Sequence, residues 1–306
     1  MPNYNIGQFI KHRRNELKIS QSELCRGICN IGTLSRIENG KILPKSDLAE
    51  LLLQRLGCSN GVFDGFLTDK DFKTAQMIQK AKNLTSLGKN DEARAVIEEL
   101  SWDYESLRLQ DKQYCDRMET VYLNLSGAIT DERALKNLIS ILERSIGRFN
   151  LDELPKVVSF EEICLLNNIA LCYAHVGKMD AAIKILYHVK EINERNIVDH
   201  YESMKSLPRI IFNLSKYLGY SGRYDESIAL CEQSIELLKR TGLFRIMPQT
   251  MYNLGWSLFK RGRAEDLERA RKTMIEAYRL SSIISGDGKL TRDIKEFIVE
   301  NFREQA

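Results

Sequence analysis

The sequence predicts an all-α protein in two parts, and three observations lead to this prediction. From about residue 70 onward, apolar residues recur at three- and four-residue spacing with almost no proline, and strand signals are absent. The first sixty residues are divided into short helices by capping sequences. The longer remainder repeats a helix, glycine turn, helix pattern. A chain of 306 residues is long enough for two such domains.

The N-terminal helices have recognisable start and stop signals. Capping boxes, in which side chains bond the unpaired backbone donors of the first turn, are predicted at Asn5-x-x-Gln8 and Ser20-x-x-Glu23. Asn30 is predicted to cap a third helix that ends at Glu38 and is stopped by Asn39-Gly40. A fourth helix, capped by Ser46, carries one leucine face and ends at Gly57. Four or five helices in about sixty residues form a small all-α unit.

The second and third helices predict a DNA-reading helix-turn-helix. A short helix held across another by a tight turn can enter the major groove with its first side chains at the base edges. In the third helix, hydroxyl, amide, apolar and guanidinium side chains suit bases, and three residues at helix ends suit phosphates. Arg14 and Glu38 are expected to form a structural salt bridge. The candidate DNA-binding residues are Gln21, Asn30, Ile31, Gly32, Thr33, Ser35, Arg36, Asn39 and Lys41.

The positive charge of the chain is concentrated in this segment. Residues 1–60 contain nine Lys/Arg and five Asp/Glu, a balance of +4, whereas the whole chain carries +3. The other 246 residues are therefore close to neutral. This distribution favours contact with phosphates, although a solvated basic surface is the alternative.

The boundary between the two parts is predicted at the one glycine-dense stretch, which begins at Gly57 and ends at Gly65. We expect a DNA-binding domain at residues 1–60, a linker at 61–70 and a repeat domain at 71–306, with about five helix pairs and a capping helix. Pro155, Pro208 and Pro248 are expected near helix starts or in connections.

An asparagine recurs along the repeat domain, as Asn124, Asn168, Asn213 and Asn253. The last three are each followed, nine residues later, by a glycine that opens a turn, while the Asn124 unit lacks one at that place. We expect a row of carboxamides on the first helix of each pair, able to pair with a peptide backbone through donor and acceptor. Bonding between helices is the alternative. Candidate peptide-binding residues are Asn124, Asn168, Arg209, Asn213, Tyr217, Gln249, Asn253 and Trp256, with Tyr220 and Lys260 as a further aromatic wall or carboxylate contact.

Nothing in the sequence favours an enzyme. The four histidines lie far from paired carboxylates or nucleophiles, and phosphate-loop and hydrolase motifs do not occur. The seven cysteines are scattered without metal-ligand spacing, so we expect no metal, no cofactor and reduced thiols. No apolar run is long enough for a membrane span and the N-terminus has no signal-peptide pattern, so a cytoplasmic protein is expected.

Two resemblances give these patterns a biological meaning. Residues 6–57 resemble the Cro/repressor-type helix-turn-helix called XRE, through Arg14, Gln21, Glu23, Leu24, Ser35 to Lys41 and Pro44. The family often has Gln-Ser where this chain has Ile31-Gly32, so its DNA target does not carry over. The later units resemble tetratricopeptide repeats with a longer period, which would stack into a right-handed solenoid with a concave face.

The combined architecture resembles the peptide-pheromone receptors of the PlcR, Rgg and PrgX group, termed RRNPP. That resemblance implies a homodimeric, quorum-sensing transcription factor that binds double-stranded DNA at two half-sites and a short signalling peptide in the concave face of its repeats. Two alternatives remain open at this point. The repeat domain binds a protein partner, or it serves only for dimerisation.

Overall fold

The computed structural model describes residues 6–58, 69–195 and 200–302. Two compact units emerge: the first contains residues 1–178 and 191–203, and the second contains residues 179–190 and 204–306. Each unit is helical, and no strand occurs in the ranges described. The predicted linker at 61–70 and the predicted cap at Asn5 fall largely or wholly outside those ranges, so the domain bounds stay a prediction.

Four short helices form the N-terminal part of the first unit. The capping box of Ser20 and Glu23 and the Asn30 cap, whose Oδ1 accepts from the Thr33 N–H, are confirmed. The predicted cap at Ser46 is wrong by one residue, because the helix begins at Ser46 and Lys45 occupies the cap position. The helices are α1 (Ile6–Glu16), α2 (Gln21–Cys25), α3 (Ile31–Glu38) and α4 (Ser46–Arg55).

Two interactions fix α3 against α1. Gly7 of α1 lies so close to α3 that an added Cβ would stand 1.8 Å from the carbonyl oxygen of Ile37. The Arg14 guanidinium bonds both carboxylate oxygens of Glu38, at 2.6 and 3.0 Å, which confirms the predicted salt bridge. Because Glu38 is buried and Arg14 is mostly buried, this fork sets the orientation of α3 on the small hydrophobic core.

The rest of the first unit consists of the first helices of the repeat region. Successive helices pack on each other, α5 on α6, α6 on α7, α7 on α8 and α8 on α9, and α7 also contacts α9. The helices are α5 (Asp69–Ser86), α6 (Asn90–Ser101), α7 (Leu109–Leu125), α8 (Asp131–Ile146) and α9 (Phe160–His175). Helix α10 (Met179–Glu194) follows and is divided between the two units.

The second unit continues the pattern of helix pairs. Its core lies between α12, α13, α14 and α15, with aromatic residues of α13 and α15 at its edge. The prediction that Pro208 lies near a helix start or in a connection is wrong, because α11 continues through it and tolerates the loss of one backbone donor. The helices are α11 (His200–Tyr220), α12 (Tyr224–Thr241), α13 (Met247–Arg261), α14 (Ala264–Ser285) and α15 (Lys289–Phe302).

One asparagine of the predicted row, Asn124, does not occupy the same helix position as the later ones. Asn168 and Asn213 each lie seven residues before the end of their helix, whereas Asn124 is the next-to-last residue of α7. The turn glycine of that unit is Gly127, three residues after Asn124, with φ +75°. Asn124 therefore is not equivalent to the later asparagines, and its Nδ2 donates to the Asp131 carboxylate of the following helix at 3.2 Å.

We predict that Gly7→Ala destabilises the N-terminal domain by about 1–3 kcal/mol, because the new methyl group forces α1 away from the backbone of α3. Urea unfolding followed by circular dichroism measures the change. Gly32→Ala is the matched control: its Cβ meets only the Asn30 side chain, at 3.4 Å, so it should be neutral or stabilise by up to about 1 kcal/mol. Equal effects of the two substitutions would contradict the close approach of α1 and α3.

Candidate functional site

The outward side of α3 is the candidate DNA-reading face. Its buried residues, Leu34, Ile37 and Glu38, face the domain core. Asn30, Ile31, Gly32 and Arg36 are exposed, and the Ile31 side chain is 50% exposed although it is apolar. Thr33 and Ser35 are half-buried beside them, and Asn39 and Lys41 are exposed just after the helix. The structure thus brings together on the surface most of the residues predicted to contact DNA.

Three of these predicted residues also hold the domain together. The Gln21 Nε2 donates to Glu38 at 2.7 Å, so this half-buried amide belongs to the Arg14–Glu38 network. The Asn39 side chain accepts from Lys11 at 3.2 Å, and the Asn30 side chain caps α3. Burial raises the pKa of Glu38, but the Arg14 and Gln21 bonds outweigh it and hold that pKa below its ordinary value. The network is therefore charged and rigid at neutral pH.

Arg55, in the last turn of α4, joins the helix-turn-helix to the repeat helices of the same unit. Its side chain is only 2% exposed. One guanidinium nitrogen donates to the carbonyls of Leu24 and Arg26, which flank the end of α2. The other donates to the carbonyl of Ser145 at the end of α8 and to the Glu162 carboxylate at the start of α9, both at 3.0 Å. A single buried cation thus bonds three segments of the chain.

Glu162 is matched to this cation by its position in α9. It is the third residue of a capping box, accepting from the Ser159 N–H at 2.7 Å while Ser159 accepts from the Glu162 N–H. Burial alone raises the pKa of this carboxyl, but Arg55 and the further bonds keep it below the ordinary value. The pair is therefore ionised at neutral pH, and removal of either partner leaves an uncompensated buried charge.

Further contacts hold the helix-turn-helix against the connection between α8 and α9. Val157 belongs to the hydrophobic core of the helix-turn-helix. Lys156 pairs with Glu23 at 2.9 Å and, after the Ser20 N–H bond, helps to lower the pKa of Glu23 to about 2. Gly27, with φ +72°, leaves room for the end of α8, since a Cβ there would stand 2.1 Å from the Ser145 carbonyl oxygen.

The sequence patterns do not predict this junction, although they contain one signal for it. Arg55 lies seven residues after Leu48 and next to Leu56, and so on the leucine face of α4. A cation on an apolar face predicts a buried partner. The partner is 107 residues away in sequence, and no spacing rule links the two positions.

The later asparagines of the predicted peptide-binding row are buried. Asn213 and Asn253 are 8% and 6% exposed. The Asn253 Nδ2 donates to the Ser215 hydroxyl at 2.7 Å and lies 3.5 Å from the Cys231 sulfur, which ties α13 to α11 and α12. This is the interhelical bonding that the sequence left open as the alternative. Contact of these residues with a peptide stays a prediction.

The other predicted peptide-binding residues differ in accessibility. Arg209 is exposed on α11, and Asn168, Gln249 and Trp256 are partly exposed. Tyr217 is only 2% exposed. The exposed or partly exposed residues Arg209, Gln249 and Trp256 lie on α11 and α13, the first helices of their pairs in the second unit.

Among the described residues, no cluster of three or more His, Cys, Asp or Glu side chains could hold a metal ion. In the same ranges, no helix combines the length and apolar character needed to cross a membrane.

Two family models match the chain. A helix-turn-helix model matches residues 10–59, which contain α2, α3 and α4. The model of the RNPP family C-terminal domain matches residues 79–284, about two thirds of the chain. The chain belongs to the RNPP family. Members of this family are DNA-binding regulators with peptide-binding repeat domains that act in quorum sensing. By sequence, no curated protein matches the chain significantly.

Solved structures show the same architecture over the whole chain. The crystal structure of Bacillus thuringiensis PlcR in complex with the peptide PapR7 and DNA superimposes with a TM-score of 0.63, at 19% identity, covering 97% of this chain and 99% of that one. The apo form of PlcR gives 0.60 at 18% identity, covering 97% and 98%. Apo ComR from Streptococcus vestibularis gives 0.55 at 16% identity, covering 97% of each chain. At these identities the similarity is one of fold.

We predict that Arg55→Met lowers the free energy of unfolding by about 3–5 kcal/mol at pH 7, because Glu162 is left buried without its cation. Arg55→Met/Glu162→Met should recover a large part of this loss in urea unfolding. In the wild type, the folded-state pKa of Glu162 is depressed, so its contribution is lost as pH falls through that pKa. In Arg55→Met the pKa rises and protonation relieves the buried charge, so the deficit should shrink between about pH 7 and about pH 4. A deficit that grows on acidification would contradict the ionised pair.

Proposed function

We propose that this chain is a sequence-specific transcriptional regulator whose DNA affinity is controlled by a short signalling peptide bound to its repeat helices. The observation that carries the proposal is the exposed face of α3, fixed by the Arg14–Glu38 fork, in a chain whose residues 79–284 match the RNPP C-terminal domain. PlcR, which has the same fold, was crystallised with both a peptide and DNA. The fold class and this face together support the same pair of ligands here.

The mode of DNA binding follows from the exposed chemistry of α3. Arg36 can donate two bonds to a guanine edge or pair with a phosphate, and Ile31 can contact a thymine methyl group. Lys41 and Asn39, just after the helix, suit phosphates that set the register. Gln21 has its amide on Glu38, so we assign it a supporting role at the α2 end.

We infer that the active species is a homodimer. One helix-turn-helix covers only one half-site, and two copies reading half-sites about 34 Å apart or a multiple of that would give specificity from two faces. Peptide binding would change how well the two copies meet that spacing. A coupling of about 1–3 kcal/mol, roughly 5- to 150-fold in affinity, suffices for such a switch.

The same proposal places the protein in the cytoplasm, where both the DNA and an imported peptide are accessible, and assigns it no catalytic step. It requires no metal and no cofactor, since base edges and a peptide are both recognised by hydrogen bonds, charge and apolar contact alone.

The direct test is selection of bound DNA from a random duplex pool with the full chain, with and without a pool of synthetic heptapeptides. We expect a defined inverted or direct repeat to be enriched, and its recovery to change when peptide is added. Enrichment without any peptide effect would favour a repeat domain that only dimerises or binds a protein partner. Absence of enrichment would overturn the proposal as a whole.

We predict that Arg36→Ala weakens binding to the selected DNA by about 1–3 kcal/mol, measured by fluorescence anisotropy across a salt series. If Arg36 reads a base, discrimination at one position should relax. If it contacts a phosphate, the salt slope should fall by about one. Arg94→Ala, which removes an exposed arginine of α6, is the control and should leave binding unchanged. An Arg36→Ala protein with wild-type affinity would exclude α3 as the reading helix.

We predict that Arg209→Ala reduces the peptide-induced change in DNA affinity while leaving DNA binding without peptide as in the wild type, because Arg209 is exposed on α11 and remote in sequence from the helix-turn-helix. Loss of one charge-assisted contact would shift the peptide dose–response curve roughly tenfold. Arg240→Ala, on the exposed side of α12, should respond as the wild type does. Identical curves for all three proteins would remove Arg209 from the peptide site.

A further inference from the structure

Two helices of the second unit carry a group of aromatic rings with a lysine at each end. We call it the aromatic–lysine cluster: Lys216, Tyr217 and Tyr220 on α11, and Trp256 and Lys260 on α13. The Tyr220 ring stands edge-on to Trp256 with centroids 5.6 Å apart, and to Tyr217 at 6.5 Å. Gly219 permits the close approach of the two helices, since a Cβ there would lie 3.2 Å from the Trp256 ring.

Lys216 is a half-buried cation without a carboxylate. Its ammonium lies over the rings of Tyr217 and Tyr220, at 5.5 and 5.6 Å from their centroids. Within the described parts of the chain no acidic side chain lies within ion-pair distance of it, and burial lowers its pKa. Burial removes water from around the ammonium. The ring faces attract this cation, but they compensate for the lost hydration less well than a carboxylate would. The site is therefore complementary to an anion.

Three acidic side chains at the neighbouring turns are already paired with arginines. Glu226 is held by Arg223 at 2.6 Å, and Asp266 by Arg261 at 2.7 Å. Asp225 bonds the side chains of both Arg261 and Arg263. These three carboxylates therefore already have cationic partners.

The exposed aromatic rings of the cluster offer apolar surface to the same ligand. Tyr220 is 57% exposed and Trp256 is partly exposed, although aromatic rings of this size are mostly buried in a folded domain. Lys260 lies over Trp256 at 5.9 Å and adds a second, exposed positive charge. Exposed rings flanked by cations suit a ligand that combines an apolar side chain with a negative group.

We propose that the aromatic–lysine cluster is a subsite for a peptide carboxylate that adjoins an apolar or aromatic side chain. Lys216 pairs with the carboxylate, and Tyr220 and Trp256 pack against the apolar side chain. The proposal rests on the proposed function, since it names the chemistry of the peptide that the repeat domain takes. The carboxylate has two sources, the free C-terminus of the peptide or an Asp or Glu side chain.

The test uses two synthetic pools of random heptapeptides without tryptophan, one with free and one with amidated C-termini. The full-length protein is incubated with each pool, and the retained peptides are identified by mass spectrometry after gel filtration. Preferential retention from the free-acid pool identifies the C-terminus as the source. Enrichment of Asp or Glu beside an apolar residue in the amidated pool identifies a side chain. Retention that is indifferent to carboxylates in both pools overturns the proposal.

Substitutions of Lys216 test whether this residue binds the carboxylate. Lys216→Met should weaken the enriched peptide about tenfold and abolish the preference for a carboxylate, whereas Lys216→Arg should preserve it. Lys178→Met, which removes another lysine lying over a tyrosine ring but in the first unit, is the matched control and should bind as the wild type does. An unchanged preference in Lys216→Met overturns the proposal, provided that its circular dichroism spectrum matches the wild type.

A second measurement reports from the cluster itself. The chain has two tryptophans, and Trp102 is 86% exposed on the other unit, so Trp102→Phe leaves Trp256 as the single tryptophan whose emission is recorded. The enriched peptide should change its emission with the same dissociation constant as in the retention assay, and a saturable binding without any change overturns the proposal. DNA selection carried out in parallel distinguishes failure of the subsite from failure of the proposed function. If peptide alters DNA binding while the Lys216 variants behave as the wild type, only the subsite fails, and if peptide never alters DNA binding, the proposed function fails.

Discussion

One buried cation connects the two kinds of structure in this chain. Arg55 bonds the two carbonyls that flank the end of α2, the Ser145 carbonyl near the end of α8 and the Glu162 carboxylate in the first turn of α9. A guanidinium carries five N–H donors in a fixed fork, so one side chain can serve all four of these acceptors at once. Within the first unit, the contact between the helix-turn-helix and the α8–α9 region therefore depends on an ion pair and not on apolar packing alone. The hydrogen bonds of the guanidinium are directional, whereas the hydrophobic effect is not.

Local patterns predicted local structure well. Ser20, Asn30 and Gly40 mark helix ends because their side chains, or the lack of one, act on backbone atoms within three or four residues. The repeated helix, glycine turn, helix pattern likewise predicted about five helix pairs and a last helix, and the described ranges after residue 69 contain the helices α5 to α15. The Arg14–Glu38 bridge was predictable because the two residues lie on helices whose packing the helix-turn-helix pattern already implies.

The candidate sites were harder to predict, for a physical reason. An asparagine on the first helix of a repeat can face a ligand or a neighbouring helix, and only the packing distance between helices decides which. Asn253 bonds Ser215 across such a close contact, and Asn124 is out of register by most of two turns. The role of Lys216 could not be predicted because it comes from the absence of an acidic neighbour, which depends on how the acidic side chains at the adjacent turns pair with arginines.

Gly27 has a consequence for how such regulators can be recombined. The turn between α2 and α3 lies against the end of α8, where only a residue without a side chain fits beside the Ser145 carbonyl. The exposed residues of α3 make no such contact. A hybrid protein that takes only the exposed residues of α3 from a relative keeps its own contacts between the helix-turn-helix and the end of α8. A hybrid that takes the whole helix-turn-helix domain from a relative needs the end of α8 and the start of α9 from the same relative.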